Sequence, residues 1–573
     1  MAYVPTQRDY DLLFNQVTKI GIKIEICNKN GTLVTSLTGI KPSLNYSIDG
    51  TSTSRRQING TIIPTKIQGI NINQDGLVWL DKDIIVSIGF YDYANNKWVY
   101  YPCGKYIFTS ANSTENSSTY ELSFSAIDFW SKLDGTEFGV LGNFVNGTIK
   151  AYERDVYENK IDGTELSIKN ALLQVLSMTN IDDYIVENIG EYAGTEKADN
   201  YIGYRLTNPN WDKLPYDIEF GNKDTVADII KRIIELYPNN DASFDNEGIL
   251  KIGLLPSNDN ENVILTNEQI KRILIGSSGK QASYDLTSIK NIVYCVGNSF
   301  DSDFYTELVT SNGTNYILNI DRYGTKNTNN DIKDYYDSDI ITFVANETNK
   351  VNATLQIEYG ETILDSIPIY NGLTGRPLEA NKFKIGQAYT VKIKKLLVNG
   401  IVTRRAILLG SYQPNGMVVC TDDVNINPFT DKNGVEYDSF DKLRKYFQTT
   451  YNIQNVKFMI LKDSPFTIQK LGERVFAYET DKSKVVDSDA SALGCAEYCL
   501  WQKVRLTESV TITTKLIPWL SDNNIIEFAL DGENVYKYIV KQINNTIDSG
   551  QCTSTITMYK YYTLYNENNI EFA

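Results

Sequence analysis

Apolar and polar residues alternate along much of the chain. Ile20, Ile22, Ile24 and Ile26 interleave with Gly21, Lys23 and Glu25, the period-two pattern of a strand with one buried face. Further strands are predicted near 55–64, 84–92, 97–101, 104–110 and 119–127, which makes a small antiparallel barrel or sandwich within the first 150 residues. Ahead of them, residues 6–18 carry Leu12, Leu13 and Val17 at the spacing of a short amphipathic helix. After about residue 150 the period changes. Ile168, Leu172, Val175 and Leu176 lie at helical spacing. Val226, Ile229, Ile230, Ile233 and Ile234 form one stripe of a helix over Thr225–Tyr237, with Thr225 and Asp228 as its capping box and Pro238 as its stop. Phe244 to Ile252 then reads as a hairpin around Asn246-Glu247-Gly248, completing a small α+β unit.

Strand character returns from Leu286 to Val296. Residues 300–338, rich in Asn, Asp, Ser and Thr, read as loop or insertion. Residues 340–420 read as β, with Val391 and Ile393 alternating with Lys392 and Lys394 before Asn399-Gly400. Residues 425–485 are mixed, and a helix is expected at about 489–503. Strands at 509–516, 525–530, 535–543 and 552–562 follow, and in the last one Thr553, Thr555 and Thr557 alternate with Ser554, Ile556 and Met558. Asn-Gly and Asp-Gly pairs favour tight turns. They are read as turns at Asn30-Gly31, Asn59-Gly60, Asn312-Gly313, Asn371-Gly372, Asn399-Gly400 and Asn415-Gly416, and at Asp75-Gly76, Asp134-Gly135 and Asp531-Gly532. The fold class that results is mainly β with an α+β insertion.

Length and composition narrow the function. A chain of 573 residues divides into about three to five domains. With 42% hydrophobic and 22% charged residues it is neither disordered nor membrane-like, and no apolar run approaches the roughly 20 residues of a spanning helix. The opening MAYVPTQRDY lacks a basic and apolar leader, so a signal peptide is not expected. A formal charge of −16 argues against free nucleic-acid binding. There is no histidine, which removes Ser-His and Cys-His nucleophiles and imidazole metal ligands. The seven cysteines are sparse and odd in number, as expected of buried free thiols in reducing cytosol. Cys495 and Cys499 fall at i and i+4 on one helix face, with no further Cys nearby to complete a zinc site.

Candidate chemistry is thin. Gly276-Ser277-Ser278-Gly279-Lys280 has its glycines too close for a phosphate loop, and Gln281 stands where the magnesium-binding Ser or Thr belongs. Asp241, Asp245 and Glu247 cluster near a hairpin but lack the register of a calcium loop. Asp182-Asp183 and Asp422-Asp423 are carboxylate pairs, yet strand neighbours point to opposite faces. A glycosidase pair stays open, because its carboxylates need not be neighbours in sequence. Arg55-Arg56 opens a strand and is read as making structural ion pairs. Arg404-Arg405 is a second basic pair outside any basic run. The many aromatics permit sugar stacking, but most are read as strand residues. No catalytic, cofactor or metal residue is assigned, no cofactor is expected, and the chain is read as a non-enzyme.

Longer stretches carry a resemblance. The segment Trp98-Val-Tyr-Tyr-Pro-Cys-Gly-Lys-Tyr-Ile-Phe108, then Tyr120-Glu-Leu-Ser-Phe-Ser-Ala-Ile-Asp-Phe-Trp130 and Leu133-Asp-Gly-Thr136, resembles the first domain of phage tail baseplate hub, or tail-associated, proteins of phages infecting Gram-positive bacteria. Its marks are an aromatic strand, a Gly-Xaa-Tyr strand and a strand ending in Ala-Xaa-Asp. Arg55-Arg56-Gln-Ile-Asn-Gly-Thr-Ile62 resembles an early strand of the same domain. Near the C-terminus, Ser464-Pro-Phe-Thr-Ile468, the small residues Ala492, Ala496 and Cys499, the motif Ile517-Pro518-Trp519-Leu520 and the ending Ile547 to Tyr565 resemble the family's second block.

The resemblance implies two tube-like β-barrel domains flanking a small α+β domain. It divides the chain into a first barrel with its N-terminal helix at 1–150, the α+β domain at 151–283 and a β-rich domain with an insertion at 284–424. A mixed insertion with a helix follows at 425–504, and strands completing the second barrel occupy 505–573. It also implies a structural virion protein at the tail tip: a homotrimer that caps the tail tube and meets the tube or distal tail protein. Such a hub seats the tape-measure protein and holds receptor-binding or fibre proteins until DNA ejection, with synthesis in the bacterial cytoplasm and no transmembrane segment. An acidic wall facing the DNA is expected from the net charge. The alternatives are a carbohydrate-binding adhesin and, below it, a carboxylate-pair glycosidase.

Overall fold

Thirteen strands drawn from both ends of the chain hydrogen-bond into one sheet. The coordinates are a computed structural model. It describes residues 3–16, 18–38, 43–62, 72, 76–115, 120–141, 147–153, 161, 163–187, 213–214, 217–221, 224–234, 240–255, 262–276, 280–296, 303–321, 323, 334–371, 375–398, 401–411, 415–453, 455–461, 464–479, 489–505, 507–530, 532–548, 551–561 and 571–573. The sheet's N-terminal strands are β1 (Ile20–Asn28), β2 (Leu33–Thr38), β3 (Leu44–Asp49), β4 (Arg56–Ile62), β5 (Lys82–Asp92), β6 (Lys97–Glu115) and β7 (Tyr120–Asp128). The later ones are β8 (Val263–Leu265), β9 (Lys280–Asp285), β10 (Thr507–Lys515), β11 (Ile525–Phe528), β12 (Tyr536–Asp548) and β13 (Gln551–Lys560). The order is β9-β10-β13-β12-β3-β4-β7-β6-β5-β1-β2, with β11 joining β12 to β8.

The two β blocks are therefore fused. Leu44 to Asp49 pair antiparallel with Ile547 to Gln542, so hydrogen bonds run without a break from one block into the other. β6 makes the bend: its first half pairs with β5, its second half with β7, and a bulge at Phe108/Ser110 shifts the register between them. One hydrophobic core lies beneath, built from Ile22, Ile24 and Ile26 of β1, Tyr46 and Ile48 of β3, and Val510, Ile543 and Ile556 of the C-terminal strands. The helix Gln7–Phe14 closes it with Leu12 and Leu13, while Val17 lies outside the described residues. Asp9 fastens this helix, accepting hydrogen bonds from Tyr101 (2.6 Å), Tyr3 (2.9 Å) and the Thr6 amide (2.7 Å).

Two of the Asn-Gly pairs read as turns are not turns. Asn59-Gly60 sits inside β4 and Asn415-Gly416 opens the strand Asn415–Thr421. Glycine serves there for close approach rather than for a turn. A Cβ on Gly60 would lie 2.8 Å from Leu44 Cδ1, and one on Gly416 would lie 2.7 Å from the Leu493 backbone nitrogen. Asn30-Gly31 and Asn312-Gly313 do turn, with positive φ at both glycines. Asn399-Gly400, Gly372, Asp75 and Asp531 lie outside the described residues.

The α+β unit packs the helices Ile168–Leu176 and Val226–Ile234 on the strands Asn240–Phe244, Leu250–Leu254 and Tyr184–Val186. The capping box forms: Asp228 N donates to Thr225 Oγ1 (3.2 Å) and Thr225 N to Asp228 Oδ2 (3.0 Å). Pro238 lies outside the described residues. Farther on, Val475–Glu479, Ile292–Val296, Asn415–Thr421, Val456–Ile460 and Glu571–Phe572 form a five-stranded sheet. Its alternate residues face the helix Asp489–Lys503 on one side and the helix Phe440–Tyr451 on the other.

Residues 304–411 form a separate nine-stranded sheet with its own core. The expectation of a loop over 300–338 is corrected here. Strands run at Phe304–Thr306, Val309–Ser311 and Asn315–Asn319, and in the last of these Asn315, Ile317 and Asn319 alternate with buried Tyr316 and Leu318. Asp334 clamps this module's hairpin, Ala388–Val398 with Ile401–Ser411, by accepting from Lys395 (2.8 Å) and Arg404 (2.5 Å). Burial alone would raise its carboxyl, but those hydrogen bonds outweigh it and bring the pKa down to about 2. A lowered carboxyl contributes stability that is full above its unfolded value, near 3.9, and is lost as pH falls through the folded one. Asp334→Asn should therefore melt below the wild type at pH 6, and the gap should close by about pH 2. A gap in melting temperature that persists unchanged at pH 2 would refute this clamp.

Candidate assembly site

The residue pairs singled out for chemistry are engaged in structure. Asp183 pairs with Lys105 (2.7 Å) on the surface. Asp422 accepts from Asn427 (2.9 Å), and Asp423 from the Asn425 amide (3.0 Å), closing a turn. Asp245 takes the amides of Glu247 and Ile249, both at 2.9 Å, and so shapes its hairpin. Arg405 is buried, its guanidinium 4.5 Å from the Tyr370 ring centre. Ser277 to Gly279 lie outside the described residues. Among the described residues no three Cys, Asp or Glu side chains converge as a metal would need. None of the seven cysteines is in a disulfide, and Cys495 and Cys499 share the helix Asp489–Lys503.

Arg55 and Arg56 make ion pairs, at the meeting point of three parts of the chain. Arg55 donates to Asp241 of the α+β unit (2.5 and 2.7 Å) and to Asp522 of the C-terminal block (2.8 Å). Arg56, 1% exposed, donates to the Phe244 carbonyl, Asn246 Oδ1 (3.1 Å), Ser521 Oγ (2.8 Å) and Asp522 Oδ1 (3.1 Å). Burial pushes the Asp522 carboxyl up, and the two arginines more than reverse it, holding it below the usual range. Asp128 accepts the backbone amides of both arginines, each at 2.9 Å. Burial raises the Asp128 carboxyl despite those bonds. The sequence flagged Arg55, Arg56 and, through the Ala-Xaa-Asp motif, Asp128. It gave no sign of Asp522, whose partners lie more than 450 positions away.

The outward face of the large sheet has two zones. In the first, the rings of Trp98 and Tyr100 lie flat over Gly21 and Gly89, where an added Cβ would come within 2.9 and 2.7 Å of them. Tyr91 and Tyr93 extend the row, and Lys19 sits 5.1 and 5.4 Å from the Tyr91 and Trp98 ring centres. The second zone is uncharged. Thr513, Thr555, Asn544, Ser47 and Gln57 stand side by side across five strands. Beside them runs a second row, Thr546, Asn45, Asn59, Ser125 and Ser110. Cross-strand hydrogen bonds tie the zone together, Ser125 to Asn59 (2.6 Å), Thr61 with Ser123 (3.1 Å) and Thr511 with Thr557 (3.0 Å). A depression of about 240 Å³ lies over Asn45, Asn59, Asn112 and Ser123. Charged residues stand at strand ends around the zone, such as Asp49, Glu121, Lys515 and Asp548.

At the limits of the sheet stand β2 and β9, each paired on one side only among the described residues. Both expose apolar side chains: Leu33 and Val34 on β2, Tyr284 on β9 and Leu286 just beyond it.

Comparison with known proteins gives one family and several structures. The family described as a domain of unknown function (DUF5048) matches residues 463–565. No curated protein matches. The chain is similar to the 43 kDa tail protein of prophage MuSo2 from Shewanella oneidensis, at 8% identity over 94% of this chain and 98% of that one, with a TM-score of 0.42. It is similar to a tail protein from Neisseria meningitidis MC58, at 8% identity, 95% and 98% coverage and a TM-score of 0.42. It is also similar to prophage tail protein gp18 from Listeria monocytogenes EGD-e, at 7% identity, 95% and 96% coverage and a TM-score of 0.36.

Proposed function

We propose that the chain is a structural protein of a phage tail. In this reading it is the central baseplate hub, a homotrimeric ring that caps the tail tube, seats the tape-measure end and anchors receptor-binding or fibre proteins until DNA ejection. The observation that carries it is the pair of sheet edges, β2 and β9, left open among the described residues and flanked by exposed Leu33, Val34, Tyr284 and Leu286. Unpaired edges template strand addition, and soluble proteins usually blunt them. Left open at opposite limits of one sheet, they suit head-to-tail joining of copies into a closed ring. The fused sheet suits a tube wall, because each chain then supplies two β blocks without a seam. Electron microscopy of tail particles from cells that make the protein is expected to show three copies around the tail axis. Six copies would point to a distal-tail or tube protein instead, and absence from the particle would overturn the reading. The aromatic row of Tyr91, Trp98 and Tyr100 favours the alternative, a carbohydrate-binding adhesin. Saturable binding of cell-wall polysaccharide, lost in Trp98→Ala, would select that alternative.

A further inference from the structure

The uncharged zone is unusual for a protein surface. In this chain 22% of residues are charged and the net charge is −16, yet ten neighbouring outward positions in two rows are all Ser, Thr, Asn or Gln. Its chemistry differs from that of the usual uses of an ordered sheet face. A protein interface is centred on apolar and aromatic anchors, and these stand in the neighbouring zone at Tyr91, Trp98 and Tyr100. A nucleic-acid binding face neutralises phosphates with Lys or Arg. A repelling wall needs carboxylates, and the Asp and Glu that surround this zone lie at strand ends. What remains is a stiff array of hydroxyls and amides, which holds water and presents no charge.

We propose that this zone is the channel wall along which duplex DNA leaves, and that it works by neutrality. The inference rests on the hub reading, which places the sheet in a ring around the tail axis. Duplex DNA carries one negative charge per roughly 1.7 Å. Lysines facing it would hold it through counterion release. Carboxylates facing it would raise its energy on entry. Hydroxyl and amide groups exchange hydrogen bonds with the water around the phosphates and do neither. The expected acidic wall is thus replaced by a neutral one, and the surplus of Asp and Glu is carried by other surfaces.

The test is made in whole particles. With Thr513→Lys, Asn544→Lys and Asn59→Lys combined, triggered ejection should slow at least several-fold at about 20 mM salt and recover at about 0.5 M, because attraction to phosphate is lost with salt. Thr513→Gln with Asn544→Gln should eject as the wild type does at both salts. Particles that assemble with the lysines and eject at the wild-type rate at low salt would overturn the inference and leave the hub reading intact. If the lysine chain fails to assemble, a benzophenone side chain at position 544 replaces it. In particles stalled during ejection it should crosslink to DNA, and one at position 98 should not. Crosslinking from 98 and not from 544 would also overturn the inference. Failure of the hub reading is seen separately, as absence of the chain from the tail axis by microscopy.

Discussion

Arg56→Ala is expected to cost about 3–5 kcal/mol of folding stability, since it strands part of a buried ion-pair network. Arg56 is 1% exposed and spends its donors on four acceptors from two other parts of the chain. Its removal leaves the buried Asp522 carboxylate with Arg55 as its remaining guanidinium partner. The double variant Arg56→Met, Asp522→Leu should recover most of the loss, because a buried pair replaced by apolar groups of similar volume is often close to neutral. Urea unfolding of the wild type, Arg56→Met, Asp522→Leu and the double variant measures this as a coupling energy. A single variant within about 1 kcal/mol of the wild type would show that the network contributes little.

Trp519→Ala is the other large effect, at about 3–5 kcal/mol for an aromatic core truncation. The indole is 2% exposed and lies 5.1 Å from the ring of Tyr101 and 6.3 Å from those of Phe90 and Tyr10, centre to centre. Ile517, Pro518 and Leu520 are buried with it. This motif of the C-terminal block is thus the plug that seats that block on the N-terminal strands. Its loss should also lower the calorimetric transition of the shared core, as the two blocks come apart. Trp79→Ala, at a ring 37% exposed, serves as control and should leave the melting temperature within a degree or two. One unshifted transition for Trp519→Ala would reject the plug.

What the sequence revealed depends on how local the cause was. Strict alternation at Ile20–Cys27 and the stripe from Val226 to Ile234 are set by burial of one face, so strand and helix were legible there. β2 and β3 were missed. β2 is a half-exposed edge with apolar Leu33 and Val34 on the outside, which hides the alternation. The strands at 304–319 were hidden because they are short and lie among Asn, Thr and Ser, residues that also make loops. Asn59-Gly60 misled because its glycine answers to Leu44 and Phe124 on other strands. The fusion of the two blocks through β3 and β12 was not legible, since strand pairing across about 500 residues leaves no local pattern. For the same reason the neutral zone escaped notice. Its members are scattered from Asn45 to Thr557 and meet only when the strands are in register.

Among the described residues, the chain enters and leaves the nine-stranded module at one point of the five-stranded sheet. Val296, the last residue of the strand that leads into it, is the antiparallel partner of Asn415, the first residue of the strand that leads out. Cα atoms so paired lie about 4.5–5.5 Å apart, a gap that a hairpin turn of two to five residues spans. Everything between can be lengthened, exchanged or lost without altering the register of the five-stranded sheet. In evolutionary terms this is a socket. Recombination could swap this cassette while the rest of the chain kept its sheet and its core.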